Sequence, residues 1–141
     1  RRELMPAVRQ RYRTTAETAL VGESLAGLFT VETLLLEPDL FDTYLAFDPS
    51  LWWNNGLLTQ QAARLLPAYR GPAKTLYLAT SSQGDTAATA RLAAFAKLTP
   101  KSGITCYYEP LPAETHATIY HPAALRGFRL VLKPQAKRAA R

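Results

Sequence analysis

Ser24 stands in "ALVGESLAGLF", residues 19–29, where an aliphatic run gives way to a helix-like stretch and small residues sit at Gly22 and Ala26. A serine hydroxyl is a weak nucleophile until an imidazole takes its proton, and the imidazole needs a carboxylate to fix its tautomer. Of the two histidines, His116 in "AETHATIY" follows a strand-like run. Two carboxylates occupy comparable places upstream: Asp48 closes "TYLAFD" and Asp85 closes "ATSSQGD". Serine, aspartate and histidine in that order are the groups that acyl transfer uses. A turn sharp enough to lift the serine oxygen demands small residues two before it and two after it, and Gly22 and Ala26 meet that demand. The N–H of Leu25 then faces a developing oxyanion from the start of a helix.

The elements that must position these residues alternate along the chain. "ELMPAVRQRY" spaces Leu4, Val8 and Tyr12 four apart, the period of one helical face. "TALVGE" reads as a short buried strand, and "SLAGLFTVETLLLE" as a helix that Pro38 ends. "TYLAFDP" predicts a second strand, followed by the helix "GLLTQQAARLL" with Asn54 or Asn55 as its cap and Pro67 as its stop. "KTLYLATS" predicts a third strand, "TAATARLAAFAKL" an alanine-rich helix and "ITCYYEPLP" a fourth strand. "HPAALRGFRLVL" is a last helix, with Pro122 in its tolerated first turn. Strands that are apolar throughout, each followed by a helix, predict an α/β fold with a mostly parallel sheet and helices on both faces. Ligands bind such sheets beyond the carboxyl ends of the strands. Ser24, Asp48, Asp85 and His116 all fall at that edge.

Composition removes several other classes. With 141 residues, 48 % apolar and 20 % charged, the chain has the balance of one globular domain. No window supplies the run of about 18 apolar residues that a membrane span needs. "RRELMPAVRQRY" lacks the apolar centre of a signal peptide. The net charge of +6 gathers at the two ends, in "RRELMPAVRQRYR" and "KPQAKRAAR". The basic tail has no aromatic residues interleaved, so no nucleic-acid partner is expected. Cys106 is alone, cannot form an internal disulfide and is expected as a buried thiol. No Cys/His cluster points to a metal, and no cofactor is expected. "GESLAG" has neither the glycine spacing of a dinucleotide turn nor the lysine of a P-loop.

Two longer runs, "VGESLAGLFTVETLLLEPDLFDTYLAFDPSLWW" and "ETHATIYHPAAL", resemble the esterase branch of the α/β-hydrolases, the group of esterase D-like enzymes and enterochelin-type siderophore esterases. The resemblance covers roughly residues 3 to 130. It implies a serine esterase with Ser24 as nucleophile and His116 as base, acting on a small-molecule ester. The usual elbow has glycine where this chain has Ala26. The family's acid follows the strand read here as "KTLYLATS", a place held by Asp85, with Asp48 one strand earlier as the substitute. Everything the family places before the elbow strand, including a second oxyanion donor, is absent from this chain. The resemblance therefore makes residues 1–132 the C-terminal half of an α/β-hydrolase domain, with 133–141 a disordered basic tail. An elbow strand with an open edge implies self-association or pairing with the missing half.

Each candidate also has a structural role that competes with the chemical one. Asp85 can cap the alanine-rich helix. His121, directly before Pro122, reads as a helix-start residue. Trp52 and Trp53 read as core or pocket wall, with Trp52 the one assigned to substrate. Glu23 either lines the pocket mouth or has no function. The leading reading is a serine hydrolase of carboxylic esters working through an acyl-enzyme; the rival is a non-catalytic α/β-hydrolase-like module for binding or assembly.

Overall fold

The computed structural model describes residues 2–98 and 103–132, so the expected tail at 133–141 lies outside the described residues. Five helices and four strands follow in the order α1 (Leu4–Arg11), β1 (Ala19–Glu23), α2 (Ser24–Leu36), β2 (Thr43–Phe47), α3 (Trp53–Ala68), β3 (Lys74–Ser81), α4 (Thr86–Lys97), β4 (Ile104–Leu111) and α5 (Tyr120–Val131). The strands form one parallel sheet in the order β1-β2-β3-β4. Registers run Ala19 to Thr43, Thr43 to Thr75 and Lys74 to Ile104.

Side chains of a strand alternate between the two faces, and both faces are covered along β2 and the centre of β3, which is why those stretches are apolar, while β1 and β4 are only partly buried. Tyr44, Ala46, Leu76 and Leu78 pack with Val31, Leu34, Leu58, Ala62, Leu92 and Ala96 from α2, α3 and α4. Their neighbours Leu45, Phe47, Tyr77 and Ala79 face Ala123 and Ala124 of α5. Fully burying one such leucine contributes about 1.5–3 kcal/mol. At Gly127 of α5 an added methyl would sit 2.8 Å from Leu45 Cδ2, so the absence of a side chain lets the helix lie close on the sheet.

Polar ties fix the rims. Tyr77 donates to Glu109 Oε2 at 2.7 Å, and Arg126 of α5 donates to Glu109 Oε1. Burial raises Glu109, but those two hydrogen bonds and the Arg126 charge outweigh it and hold the carboxyl below its usual range. At the opposite end of the strands, Thr18 donates N–H and hydroxyl to Asp42 Oδ2, fixing the start of β1 against β2.

The boundaries follow the sequence pattern with three differences. Neither Asn54 nor Asn55 caps α3; with Gly56 they form a left-handed run at φ 50°, 54° and 70°. Pro67 does not stop that helix before Ala68, because its last turn accommodates the ring. Cys106 is half-buried rather than buried, and burial pushes its thiol up to about 11. Helix α1 buries none of its residues, and β1 is an edge strand paired only with β2 among the described residues. No helix among the described residues is long and apolar enough to cross a membrane.

Candidate active site

The turn from β1 into α2 is as tight as the small residues require. Ser24 has φ 58°, a left-handed conformation that a non-glycine residue adopts only when its surroundings enforce it. Enforcement comes from close packing: a methyl at Gly22 would lie 2.2 Å from the Ala26 carbonyl oxygen, and one at Gly27 would lie 3.1 Å from the Phe47 carbonyl oxygen. Ser24 is the first residue of α2, so the N–H groups of the first turn, Leu25 among them, have no partner within the helix. The Leu25 side chain points outward, 57 % exposed. Ser24 Oγ lies 3.4 Å from Ser50 Oγ, and the Ser24 carbonyl accepts from Ser50 N–H at 3.1 Å.

His116 lies beyond β4 on a loop tied back to the tip of β3. Its N–H donates to Gln83 Oε1 at 3.0 Å, while Ser82 donates both N–H and hydroxyl to the Glu114 carbonyl. The His116 ring presents Nδ1 to Asp48 Oδ2 at 3.1 Å. A carboxylate only accepts, so this contact puts the proton on Nδ1 and leaves Nε2 with the free lone pair. The imidazole is 46 % exposed and the Asp48 side chain 0 % exposed.

A buried carboxylate is costly unless its oxygens are hydrogen-bonded. Asp48 has those partners: Ser81 N–H donates to Oδ1 at 2.6 Å and Ser81 Oγ to Oδ2 at 2.5 Å. Asp48 itself has φ 41°, which turns its side chain back across the sheet edge toward β3. The carboxylate that meets the His116 ring is thus Asp48, where the sequence reading placed Asp85. Asp85 is not against His116; its Oδ1 accepts from Ala88 N–H at 3.0 Å and caps α4. Asp85 does reach the same cavity, a space of about 200 Å³ whose walls include Ser24, Asp48, Trp52, Asp85 and His116. Trp52 is 61 % exposed and stands as pocket wall rather than core. His121 is exposed on α5 with its ring edge-on to Tyr120.

Three supporting residues, Ser50, Ser81 and Gln83, fall at the strand ends in the sequence but receive no role there. Ser50 follows Asp48 by two positions and Ser81 is the last residue of β3, so their place at the sheet edge could have marked them.

Gly84 is part of the same construction, because a methyl there would lie 2.1 Å from Asp48 Oδ1. That oxygen cannot give way without losing Ser81. Gly84→Ala is expected to destabilise the fold by about 1–3 kcal/mol, the usual cost of overpacking, as measured by chemical denaturation. An unchanged midpoint would mean that the carboxylate is free to move.

Comparison with known proteins agrees with this architecture. Residues 1–121 match the family model Esterase, described as "Putative esterase". A siderophore enterobactin esterase of Emericella nidulans is 47 % identical over 49 residues, 35 % of this chain and 16 % of the relative. The ferri-bacillibactin esterase BesA of Bacillus subtilis is 35 % identical over 60 residues, 42 % of this chain and 21 % of the relative. The crystal structure of the BES protein from Bacillus cereus superposes with a TM-score of 0.78 at 20 % identity, over 90 % of this chain and 50 % of that one. This chain thus spans about half the length of that solved structure, and the aligned segments cover about a fifth of the curated relatives. With that family model matched over most of its length and a parallel sheet wrapped by helices, the chain belongs to the esterase family of the α/β-hydrolase fold.

Proposed function

We propose that the chain carries the acyl-transfer site of a serine hydrolase that cleaves carboxylic esters, with siderophore esters as the substrate class that the named relatives suggest. The observation that carries this reading is the Nδ1 contact between His116 and a fully buried Asp48, in one cavity with a serine held at φ 58°.

In this reading Ser24 Oγ attacks the ester carbonyl carbon while His116 Nε2 takes the hydroxyl proton. Asp48 holds the imidazole in the required tautomer and stabilises the imidazolium. The negative charge on the carbonyl oxygen is met by Leu25 N–H at the start of α2. Collapse breaks the carbon–oxygen bond of the leaving alcohol, which departs with the proton from Nε2. Water, deprotonated by the same nitrogen, then releases the acid and restores Ser24.

One oxyanion donor is supplied by the described residues. A second donor, from outside the described residues, completes the proposal. Losing one such donor typically costs about 10² to 10³ in turnover.

The test is a fluorophosphonate probe followed by peptide mass mapping. Labelling is expected at Ser24 and is expected to vanish in Ser24→Ala. Equal labelling of both proteins would end the nucleophile assignment.

A further inference from the structure

The loop that carries His116 is held by polar contacts rather than by packing. Leu111 and Ile119 are buried at its two ends, while residues 112–118 between them are half-buried or exposed. A segment with so few buried apolar contacts opens locally at low cost. The base of the proposed reaction therefore depends on hydrogen bonds for its position.

Several of those bonds fall on its neighbours. Thr118 Oγ1 donates to Glu114 Oε2 at 2.7 Å and accepts from Thr115 N–H at 3.0 Å. Ser82 reaches the loop at the Glu114 carbonyl. His116 itself is met by Gln83, whose Oε1 accepts the His116 N–H at 3.0 Å. A backbone N–H only donates, so the contact fixes the Gln83 amide with its oxygen toward His116.

Gln83 is tied to the acid as well. Its own N–H donates to Ser81 Oγ at 3.1 Å, and that hydroxyl donates to Asp48 Oδ2 at 2.5 Å. The same Asp48 oxygen meets His116 Nδ1 at 3.1 Å. The bonds thus close a circuit: from the Gln83 side chain to the His116 main chain, through the imidazole to Asp48, and through Ser81 back to the Gln83 main chain. Its footing is firm, because residues 82–85 join β3 to α4 and Asp85 caps that helix. Members of a connected hydrogen-bond network support one another, so the loss of one loosens the rest.

We propose that Gln83 is the positioning residue of the base. Its side-chain oxygen holds the His116 main chain where Nδ1 meets Asp48 and Nε2 is left to the Ser24 cavity, whose wall Gln83 shares. The effect on rate rests on the serine-hydrolase reading, whereas the effect on the imidazole can be read without turnover.

Two substitutions of similar size separate the acceptor from its bulk: Gln83→Met removes it and Gln83→Glu keeps one. Nitrogen NMR of the neutral imidazole, in a His121→Ala background that leaves one histidine, reads the tautomer. With Gln83 or Gln83→Glu, His116 is expected as the Nδ1–H form; in Gln83→Met it is expected to drift toward the Nε2–H form that free histidine favours. On a short nitrophenyl ester, at a pH where the imidazole is neutral, Gln83→Met is expected to lower kcat about tenfold, the weight of one hydrogen bond, with KM within about twofold. Gln83→Glu is expected to return kcat to within about twofold of wild type, since its carboxylate accepts the same N–H. A tautomer unchanged in Gln83→Met overturns the assignment, and so does a Gln83→Glu variant as impaired as Gln83→Met. Should the tautomer respond while fluorophosphonate leaves Ser24 unlabelled, the serine-hydrolase reading falls and the hold of Gln83 on the ring stands. Labelling at Ser24 with a tautomer indifferent to Gln83 is the reverse outcome.

Discussion

Replacing His116 with alanine is expected to lower ester turnover by about 10⁴ or more, because the serine then has no group to take its proton. The expectation comes from the position of the ring rather than from the residue type. Nδ1 is occupied by Asp48 at 3.1 Å, so Nε2 is the basic atom available to the cavity that also holds Ser24. The other histidine is the control: His121 lies on α5 with its ring against Tyr120. His121→Ala is expected to leave kcat within about twofold, as surface substitutions away from a site usually do. The measurement is kcat on a short nitrophenyl ester, with circular dichroism showing that each variant retains its helices. Greater sensitivity at His121 would mean that the loop after β4 is not where the base resides.

The second large effect concerns the acid and separates two carboxylates that line one cavity. Asp48→Asn is expected to cost about 10³ to 10⁴ in kcat. Ser81 N–H still finds an amide oxygen, but the amide nitrogen then faces His116. The imidazole accepts there, carries its proton on Nε2 and cannot act as base. Asp85→Asn is expected to change little, since asparagine caps a helix about as well as aspartate and Ala88 N–H keeps its acceptor. Steady-state kinetics of the two variants decide the matter. A larger loss at Asp85 would restore the strand-end position that the resemblance favours, and a small loss at both would leave a Ser24–His116 pair working without a carboxylate.

Much of this site could be read before any coordinates. Ser24 was legible because a strand, a glycine, a serine and a small residue before a helix admit few backbone paths. His116 was legible because the alternation of elements put it at the same sheet edge. The acid was not. Asp48 and Asp85 both follow strands and both precede helices, and local pattern gives each a satisfactory role. What separates them is tertiary: the left-handed φ of Asp48 and the two donors of Ser81 one strand away. The opening of α3 was misjudged for a related reason. Asn-Asn-Gly suits a cap and a left-handed run equally, since asparagine and glycine tolerate both.

The strand order has a consequence for how the molecule comes into being. Among the described residues, β1, β2 and β3 each pair with the strand that follows, at separations of 24 residues between Ala19 and Thr43, 32 between Thr43 and Thr75, and 30 between Lys74 and Ile104. Short loops close at lower entropic cost than long ones, so the sheet can zip up in order of synthesis, each new strand finding its neighbour already in place. Among the described strands, Ser24 is then set with the first pair to form, while His116 follows the last. In the proposed reading the serine therefore has no base beside it until β4 and the loop that follows it have been made and folded.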